Sequence, residues 1–192
     1  MRRRLAGLVL IGIAAAASAA CGGSKGTASP QNTTAASSVP FDRAFIDAMV
    51  PHHRAAIAMA KAAKSAGLSE PELIKVAGNI ATSQQVEIDD MRDWRESWFG
   101  SSTIDPQGAD SLGLSEAEMG MQHDADFSGA EDVNQAFATM MIDHHRGAIR
   151  MAELARERGQ HEAIKSLADS IIAAQEREIA VMETHAGAHH EG

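Results

Sequence analysis

The 192-residue chain holds a single cysteine, no tyrosine, five phenylalanines and two tryptophans. One thiol forms no disulfide within the chain and builds no thiolate cluster for zinc. β-Branched runs are scarce while Ala, Glu, Gln, Met and Leu dominate, so helices are expected and strands are not. Basic residues are also outnumbered, with 17 Lys and Arg against 26 Asp and Glu for a net charge of −9. Such a surface repels nucleic-acid phosphates and tolerates cations, and no nucleic-acid partner is expected. The chain has no Gly-rich phosphate loop, nucleophile elbow or basic stripe, and the reading is of a binding protein, not an enzyme.

The longest apolar run, Leu5 to Ala17, is too short for a comfortable membrane span. It follows Arg2, Arg3 and Arg4 and precedes Ser18-Ala19-Ala20, the order of an export signal over residues 1–20. Cys21 comes next, as in the lipobox of bacterial lipoproteins, where the thiol is diacylated; Ser18 stands where such boxes usually carry Leu. Lipidation of Cys21 predicts an anchor on the extracytoplasmic face of the cell membrane. Cleavage without it predicts a free secreted protein. Residues 21–40 are Gly, Ser, Thr, Ala and Pro with almost no large apolar group, and read as a flexible tether.

From Phe41 onward the apolar residues recur with helical period. Helices are expected over about Asp42–Ala66, stopped by Gly67, and from the capping-box spacing of Ser69-Glu70-Pro71-Glu72 to about Trp98. Two more are expected over about Ala130–Arg158, stopped by Gly159, and about His161–His185. Gly100 to Gly113 reads as loop, with a short helix at about Ser115–Asp126, and residues 187–192 as a disordered His-containing tail. One phrase occurs twice, 92 positions apart: Met49-Val-Pro-His52-His53-Arg54 and Met141-Ile-Asp-His144-His145-Arg146. Phe45 and Phe137 precede the two copies, and Met59 and Met151 follow them. The segments Gln84 to Met91 and Gln175 to Met182 are also alike. Two repeated hairpins, about residues 41–98 and 130–186, joined by a long crossover predict an all-α antiparallel four-helix bundle over residues 41–186.

Adjacent imidazoles bracketed by thioethers, twice over, exceed what packing demands. At about 100° per residue His52 shares a stripe with Phe45, Met49 and Met59, and His53 lies beside it. Antiparallel pairing sets His52 level with Gln84 and Met49 with Glu87; in the second hairpin it sets His144 level with Gln175 and Met141 with Glu178. Two readings follow. In one, inward His residues hydrogen-bond Glu or Gln on the next helix and the methionines fill an Ala-rich core, leaving a structural or interaction module without metal. In the other, thioether and imidazole hold copper, Met favouring Cu(I), while Glu87, Glu178, Gln84 and Gln175 orient the imidazoles from behind. A ferritin-like redox enzyme is a third reading, but Met49 and Met141 occupy the first position of the Glu-x-x-His motif that a di-iron centre needs.

Weaker signals lie nearby. Met119, Met121 and His123 have soft-ligand spacing on the expected short helix, and His185, His189 and His190 decorate the end of the chain. Asp42 and Asp47 read as acids opposing the dipole at a helix start, and Trp94 and Trp98 as packing at the bundle end.

The tandem Met-x-x-His-His-Arg phrases, each followed by Ile and Met-Ala, resemble the bacterial domain-of-unknown-function family 305 over about residues 41–186. The resemblance implies a ferritin-like four-helix bundle that is exported, often as a lipoprotein, with some relatives associated with copper. It implies Met49, His52, His53, Met141, His144 and His145 as candidate ligands, with Met59 and Met151 next.

Overall fold

The computed structural model describes residues 39–122 and 125–187. The export signal, Cys21, the tether up to residue 38, His123, His189 and His190 lie outside the described residues. Among those described there are four α-helices and no strand: α1 Phe41–Ser65, α2 Pro71–Phe99, α3 Val133–Arg158 and α4 Glu162–Glu183. All belong to the unit Ala36–Gly192. No helix among the described residues is long and apolar enough to cross a membrane.

At the end of α1, Gly67 takes φ 103°. Its amide reaches the Lys64 carbonyl while Leu68 reaches that of Ala63 at 2.9 Å, closing a Schellman turn with Leu68 buried beneath it. The start of α3 is capped by Asp132, whose carboxylate accepts from Asn134 at 2.8 Å and Gln135 at 3.2 Å. The expected capping box at Ser69 and Glu72 does not form, and the N-cap residue Glu70 makes no side-chain cap bond. Instead the Asn134 side-chain oxygen accepts from the amides of Ser69, at 2.9 Å, and Glu70, at 3.0 Å.

That bond has a twin. Asp42, the equivalent of Asn134 in the first repeat, accepts from the amides of Gln160 and His161, each at 2.9 Å. The start of α1 therefore ties down the α3–α4 turn, and the start of α3 ties down the α1–α2 turn. These contacts make α1 and α3 antiparallel and place a pseudo-twofold axis across the bundle. α1 pairs with α2, α3 with α4, and the hairpins meet chiefly through α1 against α3. Alanines 44, 48, 56 and 63 of α1 and 148, 152 and 155 of α3 are buried, and such small side chains allow close helix packing.

The crossover departs from expectation. A 3₁₀ turn, Gly108–Leu112, lies within the expected loop, and residues 116–120 form turns where a short helix was expected. Ser115 and Glu118 do make a reciprocal capping box, with Glu118 accepting from the Ser115 amide at 2.8 Å. No helix follows it, because Gly120, at φ 69°, turns the chain onto α3. There the backbones touch: a Cβ at Gly147 would collide with the Met119 carbonyl, and one at Gly120 with the Asp143 carbonyl. Val39 and Pro40, read as tether, belong to the bundle: Val39 packs on the core and the Pro40 carbonyl accepts from Ala44 at 3.0 Å.

Candidate metal centre

Both imidazoles of each doublet face inward, and none of the four is more than 1% exposed. His52 and His144 meet across the pseudo-twofold, ring centroids 3.7 Å apart and planes tilted by 36°. His53 and His145 flank them on the sides facing α2 and α4. His53 Nε2 donates to Glu87 at 2.7 Å and His145 Nε2 donates to Glu178 at 2.9 Å. The expected level was one turn off, since Glu87 meets His53 and not Met49, and Glu178 meets His145 and not Met141.

His52 has a different oxygen partner. Its Nε2 donates to the Met119 carbonyl at 2.9 Å, so the crossover covers the central imidazole. A carbonyl only accepts, which places the ring hydrogen on Nε2 and leaves Nδ1 of the neutral ring as a lone pair. Burial, and then the neighbouring His144 and His53 rings, holds the His52 pKa well below the usual imidazole range. The neutral tautomer is thus the resident form near neutral pH.

Three imidazoles share this pattern. In His52, His53 and His145, Nε2 is anchored on oxygen, and Nδ1 is buried without a hydrogen-bond partner among the described residues. The side-chain oxygens of Gln84 and Gln175, equivalent in the two repeats, are buried and unpartnered in the same sense. Each such group costs roughly 1–3 kcal/mol when left unmade. That they fall on residues repeated in the two halves is not what a packed core produces. An imidazole held by its outer nitrogen with the inner one bare is the arrangement that metal-ligating histidines adopt.

The thioethers lie to either side. Met49, Met59, Met141 and Met151 are all buried. Because α1 and α3 run antiparallel, Met49 shares an apolar cluster with Met151, and Met59 shares the other with Met141. Each cluster therefore joins the first methionine of one motif with the last of the other. No three His, Cys, Asp or Glu side chains among the described residues converge so as to hold a metal ion.

Other expected residues have different duties. Asp47 is buried against Arg95 at 2.6 Å and accepts from the Asp105 amide at 3.0 Å, and Asp42 caps the α3–α4 turn, so neither is a mere dipole charge. His185 ties the end of α4 to Glu72 at 3.2 Å. Trp94 stacks on Trp98 at 5.5 Å and Trp98 on His161 at 3.7 Å, closing the bundle end as expected. Sequence reasoning did not foresee the Met119 carbonyl as the partner of His52; the glycines at 120 and 147 were its available signal.

The fold and the buried histidine layer define a crossover four-helix bundle with internal twofold symmetry. The chain belongs to the family described as "Domain of unknown function (DUF305)", which it matches over residues 12–71 and 42–186. Among solved structures it is similar to CopM in the Cu(I)-bound form, at 33% identity and TM-score 0.63, covering 74% of this chain and 93% of CopM. CopM is also known in Cu(II)-bound and Ag-bound forms. A DUF305 protein from Streptomyces coelicolor, described as secreted, is 26% identical with TM-score 0.65, covering 78% of this chain and 98% of its own. No curated protein matches the chain.

Proposed function

We propose that this protein binds copper, Cu(I) by preference, on the extracytoplasmic side of the membrane, and buffers it or hands it on. The observation that carries the reading is the common state of His52, His53 and His145: Nε2 anchored, Nδ1 bare and buried. His144 joins them from across the axis. Met49, Met59, Met141 and Met151 supply thioethers, a ligand set that suits Cu(I) and offers no acid, base or nucleophile. Glu87 and Glu178 orient the outer imidazoles, and Gln84 and Gln175 supply further buried side-chain oxygens from α2 and α4. The likeness to CopM, solved with Cu(I), Cu(II) and silver, supports the same metal class.

A competing reading also has a specific observation behind it. The two His–Glu bonds would fasten α1 to α2 and α3 to α4 in a bundle that needs no metal. Competition titration with a Cu(I) chelator separates the two. Copper binding that is lost in His52→Ala/His144→Ala supports the metal reading. Unchanged stoichiometry with a lowered melting temperature would leave only the packing one.

The export signal and Cys21 belong to the same proposal, with lipidated Cys21 tethering the bundle through residues 21–40. Cys21→Ser should then move the protein from the membrane fraction to the medium or the soluble fraction. Retention in the membrane would refute the anchor.

A further inference from the structure

We infer that copper enters and leaves through a cleft between α1 and the crossover, where Met119 and Met121 form a transfer site with His52. The inference rests on the copper reading above and adds a route and two ligands to it. The cleft has a volume of about 350 Å³ and is lined by Pro51 and His52 of α1 and by Met119 and Met121, with Glu116 and Arg54 exposed beside it.

His52 is 1% exposed yet lines this opening, so it belongs both to the buried histidine layer and to the wall of the cleft. Its Nδ1 is buried and unpartnered among the described residues. The crossover is held in place by its backbone seat on α3 at Gly120 and Gly147 and by the Met119 carbonyl bond to His52. That seat keeps two half-buried thioethers in the wall of the cleft that His52 also lines. Leu or Ile at 119 and 121 would fill the same volume; two thioethers at the mouth of a histidine and methionine site offer a stepwise path.

The step is ligand exchange. A Cu(I)–thioether bond at Met119 or Met121 breaks as a bond to His52 Nδ1 forms, the ring hydrogen stays on Nε2, and no electron moves. Neutral sulfur and neutral nitrogen leave the ion's charge unchanged throughout.

The test compares the full chain with Met119→Leu/Met121→Leu by equilibrium titration and by stopped-flow transfer of Cu(I) to a chromogenic chelator. Transfer should slow by about tenfold while the copper held tightly at equilibrium is unchanged. Equal transfer rates overturn the inference and leave the core reading standing. No Cu(I) bound by the unmodified protein overturns both. Should the double variant fold poorly, methyl NMR of the unmodified protein with labelled methionine, titrated with Ag(I), replaces it. The Met119 and Met121 methyls should then shift as silver is added beyond what the core takes up, and their silence sinks the port.

Discussion

His52 and His144 occupy the same place in the two repeats and face each other at 3.7 Å across the bundle's internal axis. Four imidazoles are gathered there in a layer that water does not reach. Burial, and then the neighbouring His144 and His53 rings, keeps His52 neutral, which is the form that binds metal. The outer rings are steadied by carboxylates and the central His52 by a main-chain carbonyl.

Glu87→Gln and Glu178→Gln test that steadying. The amide keeps the shape and still accepts a hydrogen bond, but it no longer enriches the imidazole with negative charge. Cu(I) affinity in the double variant should fall by about 10–100-fold with the fold intact, read by chelator competition and circular dichroism. Unaltered affinity alongside a lower melting temperature would mark the pairs as fasteners only.

Asp42 and Asn134 should behave as a matched pair. Each accepts from backbone amides of the opposite hairpin's turn, in the manner of a cap supplied from a distance. Asp42→Ala and Asn134→Ala should each cost about 0.5–2 kcal/mol in urea denaturation. They lie at opposite ends of the bundle, and the double variant should be additive within about 0.5 kcal/mol. Copper stoichiometry should not change. Strong non-additivity would contradict the geometry.

The four helices and their duplication were legible because apolar period, helix stops and repeated phrases are local signals. So was the inward turn of one imidazole in each doublet; the burial of both was not. The level of Glu87 against His53 was not, because spacing leaves helix rotation open by about a turn. Asn134 reaches a turn 65 residues away, which no capping rule read along the chain detects. Asp47 looked like a dipole charge, since its partner Arg95 lies 48 residues on. The crossover's seat on α3 has no periodicity at all and shows only as glycine in two places.

Gly147 is the position where the two motifs differ for a structural reason. The first motif carries Ala55 there, and α1 is continuous through it. In α3 a methyl would strike the Met119 carbonyl. Gly147→Ala should therefore destabilise by about 1–3 kcal/mol, despite its better helix propensity. Ala55→Gly should cost about 1 kcal/mol through propensity alone. Thermal melts of the two variants, with proteolysis at the crossover as a second readout, check this. Equal stability of Gly147→Ala and the unmodified protein would mean that the crossover sits elsewhere.

Acid should loosen the bundle through His52. The ring is held neutral in the fold by burial and then by the His144 and His53 rings; the Met119 carbonyl opposes this, and His145 adds a smaller push toward the neutral form. In the unfolded chain it takes up a proton near about pH 6.5. Below that pH the unfolded state binds more protons than the folded one, so stability is complete above about 6.5 and declines as pH falls toward the folded pKa. The loss runs at up to about 1.4 kcal/mol per pH unit for this one group. Melting temperature should drop between pH 7.5 and 5, and drop less in His52→Gln, which has nothing to protonate there. Identical acid slopes in the two proteins would show that His52 already carries its charge inside the fold.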